Sequence, residues 1–122
     1  MAGLATTLGS GAMTSSIADI GSASTIFAIG TNTTQAHPVI ALKVKKAARD
    51  GAKLIVANPK EIDLCRHASI FLQHKPGTDV ALLMGMMKLI VDQGLCDTAF
   101  IKDRCENYDE FAASLAEFDL AK

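Results

Sequence analysis

The residues best suited to chemistry lie in three polar loops, each of which follows a predicted buried strand. The first covers residues 30–37 and is rich in Thr, Asn and Gln. The second covers residues 58–66, and the third covers residues 73–79. Ligands of a parallel α/β sheet bind beyond the carboxyl ends of its strands. We therefore expect the three loops to converge on one ligand, with the size and polarity of a nucleotide.

The first loop can hold a phosphate or form an ordinary turn. It runs into a predicted helix at Pro38, and the free N–H groups and dipole of a helix N-terminus favour an anion. It does not match GxGxxG, and no Walker A sequence occurs, which argues against a plain NAD site. Asn and Thr are also common turn residues. The residues alone leave both interpretations open.

The other two loops each carry one polar residue of interest. Asn58 directly follows a predicted strand, where it can meet ribose hydroxyls, although Asn-Pro is also common turn chemistry. Asp79 begins a predicted helix, where the dipole stabilises a carboxylate. A carboxylate at this position can accept hydrogen bonds from N1–H and N2–H₂ of guanine, or can simply complete the helix start.

The histidines and cysteines do not predict a metal site. His37, His67 and His74 show no metal-ligand spacing, and the three cysteines form no CxxC. Cys65 and His67 can form a nucleophile–base pair, but residues two apart on a loop more often do not. Reduced thiols in a cytoplasm-like compartment are the simpler expectation.

The elements that must position these loops alternate between strand and helix. The pattern predicts a loop over the first sixteen residues with a short helix near 12–20, and Gly51 and Gly94 as helix stops. It predicts Thr78 as a helix N-cap. We expect an α/β fold, a small three-layer Rossmann-like parallel sheet flanked by helices, as a single domain over 1–122. The predicted strands are Ser24–Ile29, Lys53–Ala57 and Ser69–Leu72, and the predicted helices are Val39–Asp50, Asp79–Gln93, Asp97–Arg104 and Tyr108–Ala116.

Composition excludes some functions. The 122 residues carry a net charge of −1, which gives no basis for nucleic-acid binding. The first ten residues do not form a signal peptide, and no stretch has the length of a membrane span. Lysines cluster at helical spacing at Lys43, Lys45 and Lys46. We expect them to form a solvent-exposed helix face, and the alternative is a patch that attracts phosphate.

Several segments together resemble the catalytic alpha subunits of formate dehydrogenases, within the molybdopterin oxidoreductase family. The resemblance covers nearly the whole chain without large gaps. The segments are residues 1–4 (MAGL), 9–14 (GSGAMT), 29–38 (IGTNTTQAHP), 51–56 (GAKLIV), 75–83 (KPGTDVALL), 94–95 (GL) and 100–101 (FI).

The resemblance implies that the chain is the part of such an enzyme that binds molybdopterin guanine dinucleotide. The parent would oxidise formate to carbon dioxide at molybdenum or tungsten and would also hold an iron–sulfur cluster. Its partners would be the rest of the catalytic subunit and electron-transfer subunits. The implied cofactor residues are Gly30 and Asn32 at the pyrophosphate with Gln35 and Ala36 beside them, Asn58 and Lys60 at the ribose, and Gly77 and Asp79 at the guanine.

The sequence departs from the family in three ways. Asn58 stands where Asp is frequent, and Lys60 stands where Arg is frequent, so the bidentate fork of Arg is lost. The metal-ligating Cys or selenocysteine, followed by His, would directly precede the segment that matches Ala2-Gly3-Leu4. We therefore expect this chain to lack a catalytic residue and to oxidise no formate by itself.

Two other functions remain open from the sequence. The chain can be a free-standing module that binds a nucleotide or another small ligand, or a structural α/β module without catalysis. A thermal shift with GDP or GMP separates these two, because a ligand that binds the folded state raises its stability.

Overall fold

The computed structural model describes residues 2–9, 11 and 15–119, and the chain divides into two compact units. The N-terminal unit is Met1–Gln73, and the C-terminal unit is His74–Lys122. The N-terminal unit contains the sheet, and the C-terminal unit contains three helices. The expectation of one domain over 1–122 stays a prediction.

The sheet of the N-terminal unit has three parallel strands in the order β1-β2-β3. They are β1 (Thr25–Ile29), β2 (Lys53–Ala57) and β3 (Ile70–Leu72). Each begins at or within one residue of its predicted start. Since all three are parallel, their carboxyl ends lie at one edge of the sheet. The α/β prediction with a small parallel sheet flanked by helices is therefore confirmed.

The core of this unit is built around the central strand. Leu54 and Val56 of β2 are 0% and 1% exposed, and they point to the same face because side chains alternate along a strand. They pack with Val44 and Leu64 in one cluster. Leu64 lies in a 3₁₀-helix, Asp63–His67, which begins inside the predicted polar loop of residues 58–66.

Two helices connect β1 to β2. The first, α2 (Thr33–Ala36), is a single turn inside the predicted polar loop, and the second is α3 (Pro38–Arg49), with Pro38 in its first turn as predicted. Gly51 follows α3 with φ 112°, and Ala52 N–H donates to Ala47 O at 3.0 Å. The predicted glycine stop is therefore confirmed.

The chain before β1 differs from the prediction. A helix, α1 (Ala2–Leu8), occupies part of the predicted loop, and a 3₁₀-helix covers Ile17–Ser22. Residues 12–14, where a short helix was predicted to begin, lie outside the described residues. The opening segment lacks a hydrophobic repeat, so pattern reasoning cannot detect a helix in it. At Ser16 the backbone N–H donates to Asp19 Oδ2 at 2.7 Å, which is one half of a capping box.

The C-terminal unit contains α4 (Asp79–Asp92), α5 (Thr98–Arg104) and α6 (Tyr108–Ala116), with α4 packed against α6. Gly94 ends α4 with φ 64°, and Leu95 N–H donates to Ile90 O at 3.0 Å, as predicted. Among the described residues, no helix combines the length and the apolar character that a membrane span requires.

Candidate functional site

The polar loops begin at strand ends that backbone hydrogen bonds hold together. Gly30 N–H donates to Ala57 O at 3.0 Å, and Asn58 N–H donates to Leu72 O at 3.1 Å. Both bonds continue the sheet ladder one residue past the strands. The first loop therefore starts beside the second, and the second starts beside the end of β3, as the parallel sheet predicted.

The Asn58 side chain joins the first two loops. Its Nδ2 donates to Thr31 O at 3.3 Å, and its Oδ1 accepts from Lys60 N–H at 3.0 Å. The turn interpretation of Asn58 is thus correct in part, because the amide organises the local backbone. An amide has two N–H donors and two acceptor lone pairs, so one donor and one lone pair remain for a ribose hydroxyl.

The first loop presents a pair of side-chain amides. Asn32 Nδ2 donates to Gln35 Oε1 at 2.9 Å, which leaves the Gln35 NH₂ group and Asn32 Oδ1 available. Asn32 is the N-cap residue of α2, but its side chain makes no cap hydrogen bond. Gln35 and the neighbouring Ala36 are exposed. The loop is therefore not a simple Asn-capped turn, and it offers N–H donors to a ligand.

Two threonines of this loop do not contribute to that surface. Thr33 is 9% exposed, and the hydroxyl oxygens of Thr33 and Thr34 are buried with no hydrogen-bond partner in the described part of the chain. Each unpaired buried hydroxyl costs about 1–3 kcal/mol. Since these oxygens are inaccessible, the Thr33 and Thr34 hydroxyls are not donors to a ligand in this conformation.

The third loop turns through Lys75-Pro76-Gly77-Thr78. Gly77 has φ 82°, and Thr78 N–H donates to Lys75 O at 3.1 Å. Proline followed by a glycine with positive φ is typical of a type II turn. Thr78 is the N-cap residue of α4, as predicted, but its hydroxyl donates to Lys75 O at 2.8 Å and makes no cap bond.

The Asp79 carboxylate has as its partner a histidine whose side chain is largely buried. His74 Nε2 lies 3.0 Å from Asp79 Oδ1, and the two side chains are 7% and 44% exposed. The sequence predicted Asp79 as a site residue, but it did not predict His74 as one. The only signal was a histidine five residues before the acid across a Pro-Gly turn, which spacing rules for metal sites do not detect.

Gln73 is another residue that the sequence analysis missed. Its Nε2 donates to Pro59 O at 3.1 Å and so ties the end of β3 to the second loop.

Lys60, by contrast, is exposed, which leaves its ammonium group available for a phosphate. The structure thus brings six predicted residues onto the loops of the N-terminal unit, and it places Gly77 and Asp79 in the C-terminal unit. The six are Gly30, Asn32, Gln35, Ala36, Asn58 and Lys60.

Two of the cysteines have local hydrogen-bond partners. Cys65 Sγ accepts from Ile62 N–H at 3.4 Å, so this thiol is engaged with the backbone. The Tyr108 hydroxyl donates to Cys96 Sγ at 3.4 Å, and this bond raises the pKa of Tyr108. In the described residues, no group of three or more His, Cys, Asp or Glu side chains can hold a metal ion.

A separate cleft of about 610 Å³ lies in the C-terminal unit, at α5 and α6. Ile101, Lys102, Cys105 and Tyr108 are among the residues that line it. None of the eight predicted cofactor residues lines this cleft. The residue types there do not form a nucleotide site, because a single lysine is the only cation that lines the cleft and two carboxylates oppose a phosphate.

The loops fit the nucleotide end of a dinucleotide cofactor in their chemistry. The first loop and Lys60 offer N–H donors, which suit phosphate oxygens. A Cβ built on Gly77 would meet nothing within 4 Å, so the turn before Asp79 is open to a ligand. Asp79 itself offers acceptors, which suit the donor edge of guanine.

Comparison with known proteins identifies the family of the chain. The model of the family described as "Molybdopterin oxidoreductase" matches residues 3–103. The chain is 42% identical over 116 residues to F420-dependent formate dehydrogenase 1 subunit alpha of Methanococcus maripaludis, covering 95% of this chain and 17% of that subunit. It is 37% identical over 111 residues to formate dehydrogenase H of Escherichia coli, covering 91% of this chain and 16% of that protein.

A solved structure of the same fold is also similar to this chain. Acetylene hydratase from Pelobacter acetylenicus superposes with a TM-score of 0.75 at 31% identity, over 87% of this chain and 14% of that one. The chain therefore spans about a sixth of the length of the relatives it matches. The predicted resemblance to formate dehydrogenase alpha subunits is confirmed, and the chain belongs to the molybdopterin oxidoreductase family.

Proposed function

We propose that this chain binds the guanine dinucleotide end of a molybdopterin cofactor in a formate dehydrogenase catalytic subunit. The observation that carries the proposal is the loop chemistry, in a chain that matches the family model over residues 3–103. Amide and ammonium donors follow β1 and β2, and a carboxylate with free acceptors begins α4. These are the groups that a phosphate and a guanine require.

Each predicted residue then has a definite task. Gly30, Asn32, Gln35 and Ala36 meet the pyrophosphate, with the Gln35 amide as the donor. Asn58 uses its remaining donor and lone pair at a ribose hydroxyl, and Lys60 neutralises a phosphate charge. Gly77 leaves space for the base, and Asp79 accepts from N1–H and N2–H₂ of guanine.

When bound, the cofactor would supply the redox chemistry at molybdenum or tungsten, by which formate gives carbon dioxide, a proton and two electrons. The chain's own residues bind and orient the nucleotide and thereby fix the position of the metal-bearing pterin. An iron–sulfur cluster and electron-transfer subunits belong to the same proposal. The partner subunits agree with the relative in Methanococcus maripaludis, which is named as an alpha subunit.

The choice of formate rests on the relatives and not on the loops. The structural neighbour at 31% identity is named a hydratase, whereas the curated relatives are named formate dehydrogenases. The same fold therefore occurs in enzymes that catalyse different reactions. We infer that residues outside this segment select the substrate.

The test is calorimetric titration of the purified chain with GDP, with ADP as the matched control ligand. We expect GDP to bind more tightly than ADP, and we expect Asp79→Asn to weaken GDP binding by about tenfold or more, because hydrogen bonds to a charged group contribute about 1.5–3 kcal/mol each. Equal binding of GDP and ADP, or no binding at millimolar concentrations, contradicts the proposal.

A second measurement concerns catalysis. We expect the purified chain to oxidise no formate with an artificial electron acceptor, because it spans about a sixth of its relatives and the cofactor would be held without the rest of the subunit. Formate oxidation above the rate of a buffer blank would show that the chain is more than a cofactor-binding portion.

A further inference from the structure

The His74–Asp79 pair lies at the position where the proposed function places the guanine. Among hydrogen bonds between side chains in the described residues, this one combines a nearly buried donor with a partly exposed acceptor. The His74 side chain is 7% exposed, whereas the Asp79 side chain is 44% exposed. One partner is thus fixed within the protein, and the other is accessible to a ligand.

The geometry defines the tautomer of His74. Nε2 lies 3.0 Å from Asp79 Oδ1, which is a hydrogen-bond distance and requires a proton between the two atoms. The other ring nitrogen, Nδ1, is buried and has no partner among the described residues. A proton on Nδ1 would be a buried donor without an acceptor, which is costly. The imidazole therefore carries its proton on Nε2 and donates to Oδ1.

The carboxylate keeps enough acceptor capacity for a base. An ionised carboxylate has about four lone-pair sites on its two oxygens. His74 uses one site on Oδ1, and Oδ2 has no hydrogen-bond partner in the part of the chain that the structure describes. The two adjacent donors of guanine, N1–H and N2–H₂, can therefore be accepted while the bond to His74 remains.

We infer that His74 is a positioning residue that makes Asp79 selective for guanine over adenine. By holding Oδ1, the imidazole fixes the plane of the carboxylate before the base arrives, so less rotational freedom is lost on binding. The inference rests on the proposed function. Adenine presents its N1 lone pair where guanine presents N1–H, and a carboxylate that cannot rotate away opposes that lone pair.

The selectivity therefore comes from two residues with separate tasks. Asp79 supplies the acceptors, and His74 keeps them in one orientation. A Gln side chain places its Nε2 amide at nearly the same reach as His Nε2 and can donate to Oδ1, whereas Leu fills similar space without a donor. The variants His74→Gln and His74→Leu form a matched pair that separates hydrogen bonding from packing.

The experiment measures Kd for GDP, IDP and ADP with the full chain and its variants. We expect His74→Leu to weaken GDP binding by about tenfold and to lower the GDP-to-ADP preference, because one hydrogen bond to a charged group is lost. His74→Gln should stay within about threefold of the wild type. IDP, which lacks the 2-amino group, should lose less affinity than GDP in His74→Leu.

Ring-nitrogen NMR of the wild type gives a second readout that does not depend on how a variant folds. We expect His74 to have its proton on Nε2. An Nδ1–H tautomer overturns the inference, as does a His74→Leu variant that keeps the wild-type GDP-to-ADP preference while Asp79→Asn loses it. If the wild type binds no GDP, the proposed function fails, and the inference fails with it. The first two results leave the proposed function intact.

Discussion

The strand-end loops of the N-terminal unit and the turn that opens the C-terminal unit are organised by different means. The first set is tied by backbone and amide hydrogen bonds that extend the sheet, with Asn58 at its centre. The turn before α4 is set by a Pro-Gly pair, and its acidic residue is held by one histidine. Groups for phosphate and ribose thus depend on the fold of the sheet, whereas the group for the base depends on a single side-chain contact.

This difference has a consequence for mutation. A change in the first set should disturb stability and binding together, because the same bonds hold the loops and shape the site. A change at His74 should alter base selectivity with little effect on the sheet. The two regions can therefore be separated by comparing unfolding with binding.

The largest effect on stability is expected at Asn58. Asn58→Ala removes the bond to Thr31 O and the acceptor for Lys60 N–H. We expect a loss of about 1–3 kcal/mol and a fall in Tm of roughly 5–10 °C, together with weaker GDP binding. Thermal unfolding by circular dichroism measures the first effect.

Asn58→Asp is the matched control for that prediction. It keeps an acceptor for Lys60 N–H and loses the donor to Thr31 O, so it should fall between the wild type and Asn58→Ala. If Asn58→Ala unfolds at the wild-type temperature, the amide does not organise the loops, and the contrast between the two regions is lost.

An intermediate effect is expected at Gly77. This residue has φ 82° and open space around a built Cβ, so Gly77→Ala introduces backbone strain without a steric clash. We expect a cost of about 1–2 kcal/mol, read from urea denaturation. Gly77→Asn should cost less, since Asn tolerates positive φ better. An alanine variant as stable as the wild type would show that the turn is not fixed in this conformation.

The smallest effect is expected at the ion pair of Lys45 and Asp63, whose Nζ and Oδ2 atoms lie 2.5 Å apart. The hydrogen bond from Lys45 lowers the pKa of Asp63 below its ordinary value of 3.8. A carboxyl with a lowered pKa stabilises the fold above the unfolded-state value, and this contribution disappears as the pH falls through the folded-state value.

Asp63→Asn should therefore lower Tm slightly at pH 7, and the difference from the wild type should shrink as the pH falls below 3.8 and vanish below the folded-state pKa of Asp63. In a Lys45→Met background the same substitution should have a smaller effect at pH 7, since the main partner is absent while the longer 3.9 Å contact with Arg66 remains. A difference that grows on acidification would reverse the sign and contradict the assignment.

The sequence predicted the elements that have strong local signals. The strands were readable from runs such as Leu54-Ile55-Val56, and the helix ends at Gly51 and Gly94 were readable because positive φ favours glycine. The short helices α1 and α2 were missed, because segments of seven and four residues are too short to show a hydrophobic period.

Residue positions in the site were predictable, but their contacts were not. A parallel sheet places Gly30 and Asn58 at one edge regardless of detail, so order along the chain was sufficient. The roles of His74 and Gln73 depend on the path of a turn and on side-chain rotamers, and no spacing rule encodes these. Thr78 illustrates the same limit, since it is the N-cap residue of α4 but its hydroxyl donates backward to Lys75 O and makes no cap bond.

The central claim is that the loops of this chain bind a guanine nucleotide, and amide NMR during a titration with GDP tests it most directly. We expect the signals of Gly30, Gln35, Asn58, Gly77 and Asp79 to move, with those at the α5–α6 cleft unchanged. Shifts confined to Ile101, Lys102, Cys105 and Tyr108, or no shifts at saturating GDP, would contradict the claim.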